Sequence, residues 1–245
     1  HPEHPGVAHY LIHCYDYPPI AEKGLAAARR YSEIAPSAPH ALHMPSHIFT
    51  RVGSWQDSVK SNLRSAGVAK AEGEFEDQLH AMDYLAYAYL QLADDSKAQR
   101  IVTEAPEIQR SATPGLGEAY ARAAIPARYA IERGAWKEAA QLEPQPVRFA
   151  FIKALTHFAR ALGGARSADT VSAERDVQEL GRIAEALRAA KNTYWATEVE
   201  VQHLGASAWL AYARGNREAA LDLMRSAADL EDASEKHAVS PGRLI

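Results

Sequence analysis

The sequence predicts an all-α protein built as a solenoid of helical hairpins, and three observations carry that prediction. Runs of β-branched residues alternating with polar ones are scarce, and no Asn-Gly or Asp-Gly turn joins such runs. Ala, Leu, Glu and Arg instead fill segments of helical period, broken by Gly and Pro. A small residue then recurs at the same point of successive helix pairs, at Gly53, Ala93, Gly134, Gly163 and Gly215. Spacings of about 30–50 residues suit hairpins that cannot bury an apolar face alone and must stack on one another.

Taken in order, the first pair carries His9, His13 and Asp16 on one stripe of its leading helix, and the second carries His40, His43 and His47. Pro45 requires a helix to begin nearby, because only the first turn has no internal amide bond to lose. The third pair runs through Leu85-Ala86-Tyr87-Ala88-Tyr89-Leu90 and on past Ala98 and Ala105, with His80, Asp83 and Tyr87 on its stripe. Pro126 lies deeper in its segment and predicts a bend or a late helix start. Gly134-Ala135-Trp136 opens the next turn, and Lys153, His157 and Arg160 form the stripe of the fifth pair. Gly164–Thr170 reads as a long loop entering a helix near Ala173, and Gly215-Asn216-Arg217 as the final turn.

Leu85, Ala86, Tyr89, Ala98 and Pro106 follow a large-small-aromatic-small-Pro order, and Gly53/Trp55 and Gly134/Trp136 a Gly-x-aromatic turn. In these residues the chain resembles the tetratricopeptide repeat family, over nearly its whole length. The resemblance implies about six degenerate helix pairs in one array, residues 1–110 being His-rich repeats and 111–245 further repeats. It also implies a concave surface lined by the first helix of each pair, which receives a peptide, a protein tail or a small ligand.

Composition narrows the classes. Net charge is −4, so no global positive field exists to hold nucleic acid or an anionic membrane. One Cys excludes an internal disulfide framework and any multi-Cys metal module, and Cys14 reads as a buried small residue. No apolar run reaches the roughly 18–20 residues that span a bilayer. The beginning at His1-Pro2-Glu3 and the end at Gly242-Arg243-Leu244-Ile245 predict a piece of a longer protein, with further repeats on either side.

Seven of the eleven His fall on the predicted stripes. His9 with His13, and His43 with His47, stand four apart, one helical turn, so each pair can chelate. Two adjacent helices would present four nitrogens to one zinc, copper, nickel or iron ion, with Asp16, His80 or Asp83 as further ligands or as groups orienting an imidazole. The bland alternative is that these His cap helices, pack on rings or bond carbonyls. Lys153, Arg160 and Arg128 form a candidate basic patch for a peptide carboxylate, beside the alternative of a solvated helix face. No phosphate-cradling Gly-rich loop, HExxH, GxSxG or EF-hand loop is present.

His4-Pro5-Gly6 with His9, Ile12 and His13, and then His43-Met44-Pro45-Ser46-His47-Ile48, resemble a bacterial subgroup of repeat proteins with HPGxxHxxIH and HMPSHI segments. No activity comes with that resemblance. It implies further repeats at both ends, favours a periplasmic over a cytoplasmic setting, and matches Glu235-Lys236-His237 before Pro241-Gly242 to a link into a next repeat.

Two functions follow. A binding module stands first on fold grounds, with His40, His80, Asp83, Tyr87, Arg128, Lys153, His157 and Arg160 as its ligand-facing residues. A metal site at His9, His13, His43, His47 and Asp16, for storage, sensing or metal-activated hydrolysis, stands second on residue identity. Acid–base catalysis by His and Asp without a metal is a minor third, and a binding or metal-holding protein is preferred to an enzyme.

Overall fold

A computed structural model describes residues 4–234, and every regular element among them is helical. The chain resolves into two compact units, the first reaching Ile125 and the second starting at Pro126. The predicted link at Glu235–Gly242 lies outside the described residues. No helix among the described residues is long and apolar enough to cross a membrane.

The first unit opens with α1 (Pro5–Tyr15), a 3-10 turn (Pro18–Gly24) and α2 (Leu25–Ile34). It continues with α3 (Pro39–His43), α4 (Pro45–Arg51), α5 (Trp55–Glu72), α6 (Phe75–Gln91) and α7 (Asp95–Glu104), and enters α8 (Leu116–Glu132). The second unit takes the rest of α8, then α9 (Trp136–Ala140), α10 (Ala150–Arg166), α11 (Thr170–Ala189), α12 (Thr193–Ala213) and α13 (Arg217–Ala233). Consecutive helices pack on one another, α5 on α6 in the first unit and α10 through α13 in the second.

One turn chemistry repeats. Gly53, Gly73, Ala93, Gly134, Ala168, Lys191 and Gly215 all take a left-handed backbone, with φ between 55° and 84°. The amide after each reaches back five residues, as from Ser54 to the Phe49 carbonyl at 2.8 Å and from Asn216 to that of Ala211 at 3.0 Å. This bond closes a helix C-terminus by satisfying a carbonyl that would otherwise be orphaned. Only two or three residues then separate that helix from the next.

Four of the five predicted turn residues are in this set; Gly163 is not. It lies inside α10, and the turn falls at Ala168, so the loop is Ser167–Asp169 and α11 starts at Thr170, capped by Asp169. Gly163 is small for another reason: a Cβ there would come within 2.5 Å of the Trp136 carbonyl oxygen and strike the α9 backbone at Ala140. Backbone cannot yield as a side chain would, so Gly163→Ala is expected to destabilise the second unit by about 1–3 kcal/mol. Thermal unfolding followed by circular dichroism reads this as a lower midpoint; an unchanged midpoint would contradict the close α9–α10 approach.

Proline behaves as local geometry demands. Pro45 is the first residue of α4. Pro126 sits within α8, which already starts at Leu116, so the late start does not occur. Cys14 is exposed, not buried. It follows His13 on α1, whose buried positions are Ala8 and Ile12, and a step of two residues from Ile12 turns the side chain about 200° away from that stripe.

Beneath the His-bearing helices, Ala8 and Ile12 of α1, Ala28 and Tyr31 of α2, and Ala41, Met44, Ile48 and Phe49 of the α3–α4 segment form one apolar core. Gly24 lets that core close, since a Cβ there would lie 2.7 Å from the Ile48 Cδ1. The packing fixes α1 against α3 and α4, and thereby the two His pairs against each other.

Candidate metal centre

The α3–α4 segment keeps its helical sense across the proline. Met44 is right-handed, its amide bonds the His40 carbonyl at 3.0 Å, and the His47 amide bonds that of Met44 at 3.1 Å. His43 and His47 therefore share a face although Pro45 stands between them. Both are nearly inaccessible, at 1% and 3% exposure. Their Nε2 atoms approach to 3.0 Å, and those of His9 and His13 on α1 to 2.9 Å. His80 on α6 joins from the other side, its ring 4.3 Å from that of His43. One ligand atom from each of His43, His47 and His80 lies within 4.8 Å of the others.

The outer nitrogens are held. His43 Nδ1 lies 2.7 Å from Asn62 Oδ1. The Asn62 amide is itself oriented, because its Nδ2 donates to the Ser58 carbonyl at 2.8 Å. Its oxygen thus faces His43, and His43 donates from Nδ1. His47 Nδ1 lies 2.9 Å from Asp16 Oδ2 and 3.4 Å from the Tyr84 hydroxyl. The shorter, charge-assisted contact decides the tautomer: a carboxylate only accepts, so His47 also donates from Nδ1. A neutral imidazole carries one N–H, so both facing Nε2 atoms present lone pairs.

Asp16 acts as orienter. Its Oδ2 takes His47 and its Oδ1 takes Arg51 Nε at 2.7 Å, with the carboxylate 1% exposed. Both oxygens are engaged, which is the orienting arrangement that the sequence offered for Asp16 beside that of a ligand. Burial pushes this carboxyl up, but the hydrogen bond from His47 and the charge and hydrogen bond of the Arg51 guanidinium outweigh burial and hold it well below the usual range.

Four of the imidazoles are pushed toward the neutral form. Burial drives His43 well below its ordinary value, with His80 and His47 adding to the effect, and the Asn62 bond opposing it only in part. His80 is lowered to about 3 by burial and then by His47 and His40. His40, at the open edge, is lowered to about 4 by loss of solvation and then by His9 and His47. His9 moves down for the same first reason. Neutral imidazole is the ligand form.

The remaining sequence candidates are placed differently. Asp83 is buried in α6, and Tyr87 is buried with its ring edge-on to Trp55 at 5.5 Å, so neither offers an open ligand-facing surface. Arg128, Lys153, His157 and Arg160 belong to the second unit. There His157 Nδ1 lies 2.7 Å from Asp176 Oδ1, and Arg160 Nε reaches both Asp176 oxygens at 3.0 and 3.1 Å while its Nη1 bonds the Leu142 carbonyl.

Asn62, Arg51 and Tyr84 were not foreseen. A signal for Asn62 was legible: Ser58, Asn62, Ser65 and Ala69 follow one another by steps of four, three and four along α5, and all four are buried. That is a stripe of small and polar residues where an amphipathic helix ordinarily carries large apolar ones. Compared with protein-family models, with curated proteins and with solved structures, the chain matches none.

Proposed function

We propose that the first unit is a metal-binding module whose primary site is His43, His47 and His80. The observation that carries this reading is the pair of Nε2 lone pairs facing each other at 3.0 Å, with both Nδ1 protons committed to Asn62 and Asp16. Two lone pairs so placed repel unless a positive species lies between them. A proton would serve two nitrogens; the third, from His80, suits an ion that takes three or four. Nitrogens around a tetrahedral ion with bonds of about 2.0–2.1 Å stand about 3.3 Å apart, so small side-chain movements close the shell.

An all-imidazole donor set favours zinc, copper, nickel or iron over calcium and magnesium. Asp16 and Asn62 supply the outer hydrogen bonds that fix ring orientation in such sites. Three protein ligands leave a fourth position for water or a small ligand, an arrangement that supports metal-activated hydrolysis.

The peptide-clamp reading has less support, since Arg160 and His157 are engaged by Asp176. The recurrence of one turn geometry along both units supports the tetratricopeptide-like relationship, which we retain as a proposal.

The test is elemental mass spectrometry on protein purified without a His tag or chelator, with the His43→Ala/His47→Ala double variant beside it. Tightly bound transition metal is expected in the parent protein, with affinity reduced at least about 100-fold in the variant, more than loss of an outer-shell partner alone would cause. A parent protein that stays blank after incubation with zinc, copper, nickel and iron in turn would overturn the reading.

A further inference from the structure

Beyond the three primary ligands, the imidazoles form a closed circuit. Ring centroids are 4.7 Å apart from His9 to His13, 6.1 Å from His13 to His47 and 4.9 Å from His47 to His43. The circuit closes at 6.2 Å from His43 to His40 and 5.2 Å from His40 back to His9. His80 lies against the His43–His47 side of it. The opposite side, His9, His13 and His40, takes no part in the primary shell, yet its His9 and His13 Nε2 atoms also converge, at 2.9 Å.

We propose that His9, His13 and His40 form a second site for a divalent transition-metal ion, so that the cluster takes up two ions in neighbouring positions. This rests on the proposed primary site and extends it. Each half has a pair of imidazoles one helical turn apart and a third imidazole from another helix; among the described residues only His43, His47 and His80 already bring one nitrogen each within 4.8 Å, so the His40 ring has to swing toward His9 and His13 to complete the second shell.

They differ in how the outer nitrogens are held. His9 Nδ1 meets the Tyr31 hydroxyl at 3.3 Å, a group that donates or accepts as required. His9 can therefore share an N–H with His13 in the absence of metal, and shift that proton to Nδ1, facing Tyr31, when an ion takes both Nε2 atoms. The Asn62 and Asp16 contacts give the primary pair no such freedom. The primary site should accordingly fill first and the second site bind more weakly. Its half-exposed ligands put it at the accessible side of the cluster, where an ion exchanges with solution.

Native mass spectrometry with zinc ions, on the full 245-residue chain without a tag, counts the bound ions directly. Two ions are expected on the parent protein and one on the His9→Gln/His13→Gln variant, whose circular dichroism should match the parent's. His40→Gln, at the exposed edge of the cluster, provides a milder variant that should lose the second ion and keep the first. One ion on the parent and one on each variant would overturn the second site and leave the primary site standing. Two ions on every protein would put the second ion elsewhere and overturn this inference. No ion on any of them would overturn both.

Discussion

Asp16→Ala is expected to destabilise the first unit by about 3–5 kcal/mol, the cost of breaking a buried ion pair. The Arg51 side chain is 4% exposed and bonds Asp16 at 2.7 Å, so its guanidinium would lose that counter-charge in a place nearly closed to water. Asp16→Asn should cost less, since an amide oxygen still accepts one hydrogen bond although the charge is lost. Urea denaturation of the metal-free proteins measures both. A loss below about 1 kcal/mol for Asp16→Ala would show that water replaces the carboxylate, and that Arg51 is not held as described. The same variants should bind metal about 10–100-fold more weakly, because His47 loses the acceptor that fixes its tautomer.

Acid should weaken the metal-free protein well before its carboxylates titrate. His43 and His80 have folded-state values below their ordinary 6.5, His80 at about 3. In the unfolded chain both return to that ordinary range. Below it the unfolded state binds protons that the folded state refuses. Stability is thus fully present above about pH 6.5 and falls as the pH drops toward the folded values, by up to about 1.4 kcal/mol per pH unit for each such imidazole. Asp16 is also lowered, from 3.8, so its contribution too is lost in acid but only below about pH 4. The window between about pH 6.5 and 4 therefore belongs to the histidines. A denaturation midpoint that stays flat from pH 7 to 4.5 would contradict a buried neutral cluster, and His80→Gln should flatten the slope by one imidazole's share.

Much of the fold was legible because it is local. Helical period, proline position and the small turn residues depend on neighbours a few residues away, and Gly53, Ala93, Gly134 and Gly215 sit at turns as expected. Gly163 shows the limit. Its smallness answers to α9, a different helix, so it resembled a turn residue in sequence while serving a close approach in space. Lys191 was missed, and Ala168 was placed only within a longer loop, for the complementary reason: they adopt a left-handed backbone without glycine, which residue identity does not announce.

The site divides along the same line. That His9 and His13, and His43 and His47, stand one turn apart on a shared face is a consequence of 3.6 residues per turn, and the sequence alone determined it. What each imidazole does is set by partners far along the chain: Asn62 is 19 residues from His43, Asp16 is 31 from His47, and Tyr84 is 37 from it. Tertiary structure alone placed Asp16 between His47 and Arg51, brought His80 into the compact trio and set the Nε2 atoms of His43 and His47 3.0 Å apart. Spacing along one helix decides which side chains share a face, whereas the proton on a ring nitrogen is decided by whichever acceptor the packed core places beside it.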